Sequence, residues 1–155
     1  EVRITHDREF LYVAIHCLKA ENVDYPSDNT SRQRDADLTH FDRVAVKLDV
    51  DRDYSTAYEL AVDSRGWTHD ALNGNTTWNP TWYVASANDE SSWTVEAAIP
   101  LAELVDKPPA ARDVWAVAVR RTIPRTGYQT WSAPKARRDS VPDDSPSQFG
   151  LLIFE

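Results

Sequence analysis

Apolar side chains alternate with polar or small ones along most of this chain, and this two-residue period is what most constrains its fold. Near the N-terminus, Leu11, Val13, Ile15 and Cys17 all fall on one side of their segment. A period of two is the period of a β-strand that buries one face. The same alternation recurs in the ranges 43–50, 57–62, 93–99 and 114–122.

The spacing of these segments predicts the architecture. Eight or so short strands are separated by turn signals such as Asn73-Gly74-Asn75, and helical periodicity is limited to one short turn at 101–105. Chains with this pattern form two antiparallel sheets packed face to face. A length of 155 residues suits one core. We therefore predict an all-β, two-sheet antiparallel β-sandwich of jelly-roll or immunoglobulin-like type, with minimal helix, as a single domain over residues 1–155.

Charge and hydropathy exclude two classes of partner. The formal net charge of −8 argues against nucleic acid, because phosphate binding needs a surplus of Lys and Arg. The sequence has no apolar run near the ~18 residues that cross a bilayer, so no membrane insertion is expected.

Six basic residues between Arg120 and Arg138 have no acidic residue among them. They form either a positive patch for anionic ligands or surface charges that pair with neighbouring carboxylates.

The ends and the cysteine content indicate the context of the domain. The chain opens with Glu1 in strand-like sequence and contains no methionine. These features suggest a domain excised from a larger protein, with any export signal upstream. Cys17 is the single cysteine, which excludes an internal disulfide, and its place among alternating apolar residues predicts a buried thiol.

Motifs for catalysis are absent from the sequence. No Gly-x-Ser-x-Gly motif is present, the four glycines are scattered, and the four histidines show no metal-ligand spacing. These absences favour a binding domain over an enzyme. Asp49, Asp51 and Asp53 have the opening spacing of a calcium loop. However, Tyr54 stands where such a loop needs glycine and Leu60 where it needs glutamate, so the segment is either an acidic hairpin turn or an irregular calcium site.

Two features suggest where a ligand would bind. Alanines occupy the non-core side of several strands, where larger polar residues are usual: Ala45, Ala61, Ala98, Ala116 and Ala118. Either a cleft lies above them or a loop covers them, such as part of the long polar segment 19–41. Trp93 and Trp115 alternate with core valines. Four other tryptophans lie in or beside turns: Trp67, Trp78, Trp82 and Trp131. Each of them either stacks on a sugar or a protein partner or packs against its own loop.

Five segments together resemble the family 9 carbohydrate-binding modules. They are VRITHDREFLYVAI from Val2, FDRVAVKLDVDRD from Phe41, SWTVEAAIPLAEL from Ser92, TWSAP from Thr130 and PSQFGLLIF from Pro146. The resemblance spans nearly the whole chain, and Trp78 to Arg125 is similar to family-9-like domains inside larger bacterial outer-surface proteins. It implies a β-sandwich that binds sugar, often holds structural calcium, and is secreted, periplasmic or on the cell surface. The family's usual first strand is not present before Glu1.

The sequence departs from the family at its sugar clamp. Sugar-binding members hold a terminal sugar between two tryptophans, and those positions fall near Thr39 and Asp143 here. Neither residue is aromatic, and His40 and Phe41 are the nearest substitutes on one side.

The leading hypothesis is a non-catalytic module that binds acidic or terminal sugars of a polysaccharide. We expect it to be attached to other domains of its polypeptide, and a carbohydrate-active enzyme is one candidate for such a domain. The alternative is a structural or protein-interaction sandwich that has lost the sugar site. Haem binding, suggested by related sandwich folds, is disfavoured by the absence of methionine as an axial ligand. The predicted ligand-binding residues are His40, Lys47, Glu59, Trp78, Arg120, Arg125 and Trp131, and the predicted metal ligands are Asp49, Asp51 and Asp53 for a structural calcium.

Overall fold

The computed structural model describes residues 1–26, 33–131 and 145–155. In these residues the chain forms ten β-strands. In order they are β1 (Val2–His6), β2 (Phe10–Leu18), β3 (Arg43–Asp49), β4 (Tyr58–Asp63), β5 (Thr68–Leu72), β6 (Tyr83–Asn88), β7 (Ser92–Pro100), β8 (Val114–Ile123), β9 (Gly127–Trp131) and β10 (Gly150–Ile153). Short 3-10 turns occupy Leu101–Glu103 and Pro146–Gln148. Among the described residues, no helix is long and apolar enough to cross a membrane.

The strands form two antiparallel sheets, which confirms the predicted β-sandwich. The four-stranded sheet has the order β1-β2-β7-β6. The six-stranded sheet has the order β10-β8-β3-β4-β5, and β9 also pairs with β8. The long strand β8 carries β10 along its first half and β9 along its second half. Its other edge pairs with β3.

The core lies between the sheets and consists of the side chains that the alternation predicts. Leu11, Leu48 and Val117 are each fully buried, and Trp93 is 1% exposed. Trp115 packs edge-on against Phe154, with the ring centroids 4.8 Å apart. Burial of this kind stabilises the fold by about 25 cal/mol for each Å² of apolar surface removed from water.

One end of the sandwich is closed by a buried ion pair that the sequence did not reveal. The carboxylate of Asp42 accepts two hydrogen bonds from Arg121, at 2.9 and 2.5 Å. It also accepts hydrogen bonds from the Tyr25 hydroxyl and the Trp93 indole. Arg121 in turn donates to the carbonyl of Leu18. Because Leu18 and Trp93 belong to one sheet and Arg121 to the other, this cluster joins the two sheets.

Candidate functional site

The outer face of the six-stranded sheet carries the polar residues that the sequence singled out. Side chains alternate along β3, so Lys47 points away from the core that its neighbours Val46 and Leu48 enter. Lys47 lies opposite Glu59 of β4 and opposite Ala118 of β8. The Lys47 amine and the Glu59 carboxylate form an ion pair of 3.2 Å. The predicted Lys47 and Glu59 are therefore neighbours on this face, beside an alanine.

Arg120 extends the same face by one row. It lies opposite Ala45 on β3 and Thr130 on β9. Its guanidinium carbon lies 5.5 Å from the ring centroid of Tyr128, within the range of a cation–π contact. We refer to Lys47, Glu59, Ala118, Arg120 and Tyr128 as the polar face. Tyr128 is not among the predicted site residues, although its two-residue offset from Thr130 in the sequence indicates that both share this face.

Half of the alanine-lined surface is covered by a loop. Leu38 is 5% exposed and packs against Ala45 and Ala61. The segment is tied to the edge of β5 by backbone bonds between Thr68 and both Gln33 and Ala36. Of the two alternatives for these alanines, the covering loop from the 19–41 segment is therefore confirmed for Ala45 and Ala61, because the buried Leu38 side chain closes that part of the sheet.

The predicted alanine set also divides between the two sides of the sandwich. Ala98 pairs with Tyr12 of β2 and Tyr83 of β6 in the four-stranded sheet. The other four alanines of the set lie in the six-stranded sheet. The strand pairing that separates them is long-range, which is why alternation alone could not show it.

An arginine fills the space between the two aromatic rings nearest the covering loop. The Arg65 guanidinium carbon lies 3.4 Å from the ring centroid of Phe41 and 3.7 Å from that of Trp67. Buried Asp63 holds the guanidinium with hydrogen bonds of 3.0 and 2.6 Å. Phe41 and Trp67 thus stack on a side chain of their own chain.

Four predicted binding residues lie away from the polar face or at its margin. His40 is exposed in the loop before β3, and Arg125 is exposed at the turn between β8 and β9 with a φ of 60°. Trp78 packs against Tyr58, 5.0 Å between centroids, beside the main core. Trp131 pairs with the core residue Val119, so it faces the opposite side of its sheet. Trp131 therefore does not share the surface of Lys47, and Trp78 packs beside the main core.

Part of the predicted basic and clamp region lies outside the described residues. This applies to Lys135, Arg137, Arg138 and Asp143, and to the end of the TWSAP segment beyond Trp131.

The three aspartates between β3 and β4 converge. Asp49, Asp51 and Asp53 each present a carboxylate oxygen within 4.8 Å of the others. Asp49 is fully buried. Its Oδ1 atom has no hydrogen-bond partner among the residues that the structure describes, whereas its Oδ2 accepts from the Tyr54 amide. Burial is the main cause that raises the pKa of Asp49 above its usual range, and the neighbouring Asp51 carboxylate adds to it. A buried carboxylate with no countercharge is costly, and hard oxygen ligands of this kind suit calcium.

The backbone of this loop shows how Tyr54 can stand at the position where a calcium loop needs glycine. Tyr54 has a φ of 59° and Arg52 a φ of 56°, so Tyr54 adopts the left-handed conformation that glycine supplies at that point of a calcium loop. Leu60 is buried in β4 and offers no carboxylate. The first half of the loop thus fits a hard cation, and the second half differs from an EF-hand.

Cys17 has the environment predicted for a structural thiol. It is 5% exposed, and burial raises its pKa to about 11. A thiol in this state is a weak nucleophile at neutral pH.

Comparison with known proteins identifies the fold. No family model and no curated protein matches the sequence. Among solved structures, a family 9 carbohydrate-binding module from Caldicellulosiruptor kristjanssonii in complex with glucose is similar, with a TM-score of 0.68 and 15% identity over 99% of this chain and 75% of that one. The same module in complex with cellotriose gives a TM-score of 0.65 and 14% identity, over 99% and 73% of the two chains.

A third solved structure has the same fold. It is a protein of Bacteroides uniformis to which carbohydrate binding has been ascribed, with a TM-score of 0.73 and 15% identity over 99% of this chain and 77% of the other. The chain therefore has the fold of a family-9-like carbohydrate-binding module, as the sequence resemblance implies. At this identity the likeness establishes the fold, and the ligand has to be argued from the site.

Proposed function

We propose that this domain is a non-catalytic carbohydrate-binding module that holds a sugar of a polysaccharide on the polar face. The observation that carries the proposal is the group formed by Lys47, Glu59, Arg120 and the Tyr128 ring around a small floor residue, Ala118. Charged donors and an acceptor beside an aromatic ring offer hydrogen bonds to hydroxyls and a stacking surface for the apolar face of a pyranose.

The balance of charge on this face favours acidic sugars. Lys47 and Arg120 contribute two cations, against one carboxylate from Glu59. Arg43 adds a third cation nearby, but its guanidinium already donates to the carbonyls of Leu38 and Thr39, both at 3.1 Å. Burial and the neighbouring Arg120 lower the pKa of Arg43. Arg120 is our choice for the ligand carboxylate, since it lies beside the Tyr128 ring and a guanidinium can bind a carboxylate with two parallel hydrogen bonds.

Affinity electrophoresis through acidic and neutral polysaccharides tests this proposal. We expect a uronic-acid polymer such as polygalacturonate or alginate to retard the wild-type domain. The Arg120→Gln variant should lose most of that retardation. Arg125→Gln is the matched control, because it removes the same charge at an exposed turn and should leave retardation unchanged. Equal retardation of the two variants, or none of the wild type in any polysaccharide, would reject the polar face as a sugar site.

The protein-interaction alternative predicts a large exposed apolar patch around Trp67, Trp78 and Trp82. All three side chains are half-buried instead. Trp67 stacks on Arg65, Trp78 packs on Tyr58, and the Trp82 indole donates to Asp70 at 3.0 Å. This arrangement removes the support that the alternative would have drawn from these tryptophans.

We also propose that Asp49, Asp51 and Asp53 hold a structural calcium ion that fixes the turn between β3 and β4. The partnerless buried Oδ1 of Asp49 supports this assignment. With calcium chelated, Asp49→Asn should unfold at the same or a higher urea concentration than the wild type, because an amide replaces an uncompensated buried charge. With calcium added, the wild type should gain stability by mass action and the variant should not. A calcium effect that survives Asp49→Asn, or no effect on the wild type, would reject the site.

The resemblance further supports a place for this domain in a larger exported protein. We propose a secreted, periplasmic or cell-surface location, with the neighbouring domains of the same polypeptide as partners in polysaccharide use. Surface labelling of cells that express the full-length protein would test this location, and labelling only after lysis would reject it.

A further inference from the structure

The outer face of the four-stranded sheet, on the opposite side of the sandwich from the polar face, carries three aromatic rings. Phe10 and Tyr12 come from β2 and Tyr83 from β6. The Phe10 ring centroid lies 5.8 Å from that of Tyr12 and 6.2 Å from that of Tyr83. Tyr83 is 58% exposed. An exposed aromatic group of this size on a small domain is unusual unless it contacts a ligand or a partner.

The two tyrosines form the walls of a slot. Tyr12 of β2 and Tyr83 of β6 both pair with Ala98 on β7, the strand between them. Neighbouring strands lie about 4.8 Å apart, so the two tyrosine backbones are separated by about 10 Å. Ala98 contributes only a methyl group to the floor between the tyrosines, and the Phe10 ring, which is close to both, bounds the slot on the side away from Glu96.

The next row of the sheet continues the slot and adds charge. Ala14 and Ala85 flank Glu96, and Arg3 lies beyond Ala14 on β1. Glu96 is exposed and has no hydrogen-bond partner among the described residues. Arg3 is already paired with Glu1 at 2.8 Å. The polar groups that line the slot are therefore the Glu96 carboxylate, the Thr5 hydroxyl and the Arg3 guanidinium, whose charge is offset by Glu1.

The resulting cleft has a volume of about 680 Å³, and its lining includes both tyrosines, four alanines, Glu96, Thr5 and Arg3. This volume lies within the range of small-molecule sites. A ligand that fits must have flat apolar faces for the rings and hydroxyl groups at its edge for Glu96. Negative charge on the ligand is disfavoured, because the Arg3 charge is offset by Glu1 and the Glu96 carboxylate then leaves this surface negative. A neutral pyranose unit meets all three requirements.

We infer that this slot is a second carbohydrate site, separate from the polar face, that binds a neutral glycan chain by stacking between Tyr12 and Tyr83 with Glu96 accepting hydrogen bonds from hydroxyls. A protein partner fits less well, since a stable protein interface needs a broad apolar area, and this surface offers a channel one strand wide.

Affinity electrophoresis through soluble neutral polysaccharides, namely xyloglucan, mixed-linkage β-glucan and galactomannan, tests the inference. At least one of these should retard the wild type, and Tyr83→Ala should weaken that binding about tenfold through loss of the ring. Tyr83 is chosen over Tyr12 because the Tyr12 hydroxyl donates to Asp7 within the β1–β2 turn. Tyr83→Phe keeps the ring and should retain binding.

A filling variant tests the slot without removing a ring. Ala98→Leu places a larger side chain between the tyrosines and should reduce neutral-glycan binding as strongly as Tyr83→Ala. Ala87→Leu is its matched control, because Ala87 lies on the same face of β6, opposite Thr94 and outside the cleft. Melting temperatures of all variants show whether a loss of binding reflects unfolding.

The two carbohydrate sites can fail independently in this design. If Arg120→Gln removes binding to neutral glycans and Tyr83→Ala does not, the inference is overturned while a sugar site on the polar face survives. The inference is also overturned if no neutral polysaccharide retards the wild type. A third result that overturns the inference is a Tyr83→Ala variant that loses self-association on gel filtration but keeps its glycan binding, because the face would then be a protein interface.

Discussion

At the residue scale, the buried ion pair of Asp42 and Arg121 is a contact that the sequence does not indicate. They are 79 positions apart, and nothing in the alternation of either segment indicates that they meet. Arg121 follows a predicted outward residue, Arg120, on the same strand. Its side chain enters the end of the sandwich because Asp42 and the Leu18 carbonyl accept its hydrogen bonds there.

We predict that Arg121→Met destabilises the domain by about 3–5 kcal/mol, because it leaves the buried Asp42 carboxylate without its countercharge. The double variant Asp42→Leu with Arg121→Met should recover much of this loss, since it removes both buried charges. Urea unfolding measures both values. The control Arg125→Met, at an exposed turn, should change stability by less than about 0.5 kcal/mol. A loss below 1 kcal/mol for Arg121→Met would contradict this account of the pair.

Asp89 supplies a second residue-scale prediction, which concerns pH. Its carboxylate accepts hydrogen bonds from the Ser92 hydroxyl at 2.7 Å and from the Ser91 and Ser92 amides, also at 2.7 Å each. These bonds, the Ser92 hydroxyl first, hold the pKa of Asp89 well below its usual range. The stabilisation is therefore complete above the unfolded-state pKa of about 4, and it is lost as the pH falls from there toward the folded-state pKa.

It follows that Asp89→Asn should lower the urea midpoint at neutral pH and that the difference from the wild type should narrow at about pH 2.5. Glu90→Gln, at the next position, is the control, because the Glu90 carboxylate has no hydrogen bond among the described residues. A gap between Asp89→Asn and the wild type that stays constant with pH would show that the carboxylate charge is not what stabilises this turn.

At the element scale, the alternation located the strands almost residue by residue. The predicted ranges 43–50 and 114–122 correspond to Arg43–Asp49 and Val114–Ile123. The start of the chain was predicted only as strand-like sequence at Glu1, with no bounds for β1 and no turn before β2. Asp7 makes that turn by accepting the amides of Glu9 and Phe10, each at 2.8 Å. This is a side-chain-to-backbone turn, which leaves little trace in a hydrophobic pattern.

The covering loop before β3 is the element whose position most affects the site. We predict that Leu38→Asp detaches it, because a charge cannot remain against Ala45 and Ala61 without a partner. Limited trypsin digestion should then cut after Arg34 or Arg43 several-fold faster than in the wild type. His40→Asp, an exposed position in the same loop, should digest at the wild-type rate. Unchanged digestion of Leu38→Asp would mean that Leu38 does not hold the loop on the sheet.

At the scale of the whole molecule, the two proposed sugar sites lie on opposite sides of the sandwich. They occupy the outer faces of two sheets that pack about 10 Å apart, and they point in opposite directions. One ligand cannot reach both faces without passing around the edge of the sandwich. The charges also differ, with Lys47 and Arg120 on one face and Glu96 on the other.

We therefore predict that a neutral and an acidic polysaccharide bind at the same time. Retardation of the wild type in an acidic gel should be unchanged when a saturating neutral oligosaccharide is included, and the reverse experiment should give the same result. The Tyr83→Ala and Arg120→Gln variants should each lose one of the two ligands and keep the other. Full competition between the two sugars would indicate one shared site.

The sequence by itself determined the strands, the core residues and the resemblance to a known sandwich family, because a two-residue period and its turns are encoded in neighbouring positions. It also placed Lys47, Glu59 and Arg120 on the outward side of their strands, since the parity of each strand separates inward from outward side chains.

Only the tertiary structure decided which outward residues share a surface. The order of strands across the sheets sends Ala98 to one side of the sandwich and Ala118 to the other, and it turns Trp131 away from Arg120. It also brings Leu38 over Ala45, and Tyr12 and Tyr83 to either side of one alanine. Strand pairing depends on contacts between distant segments, so the pattern of any single strand cannot specify it.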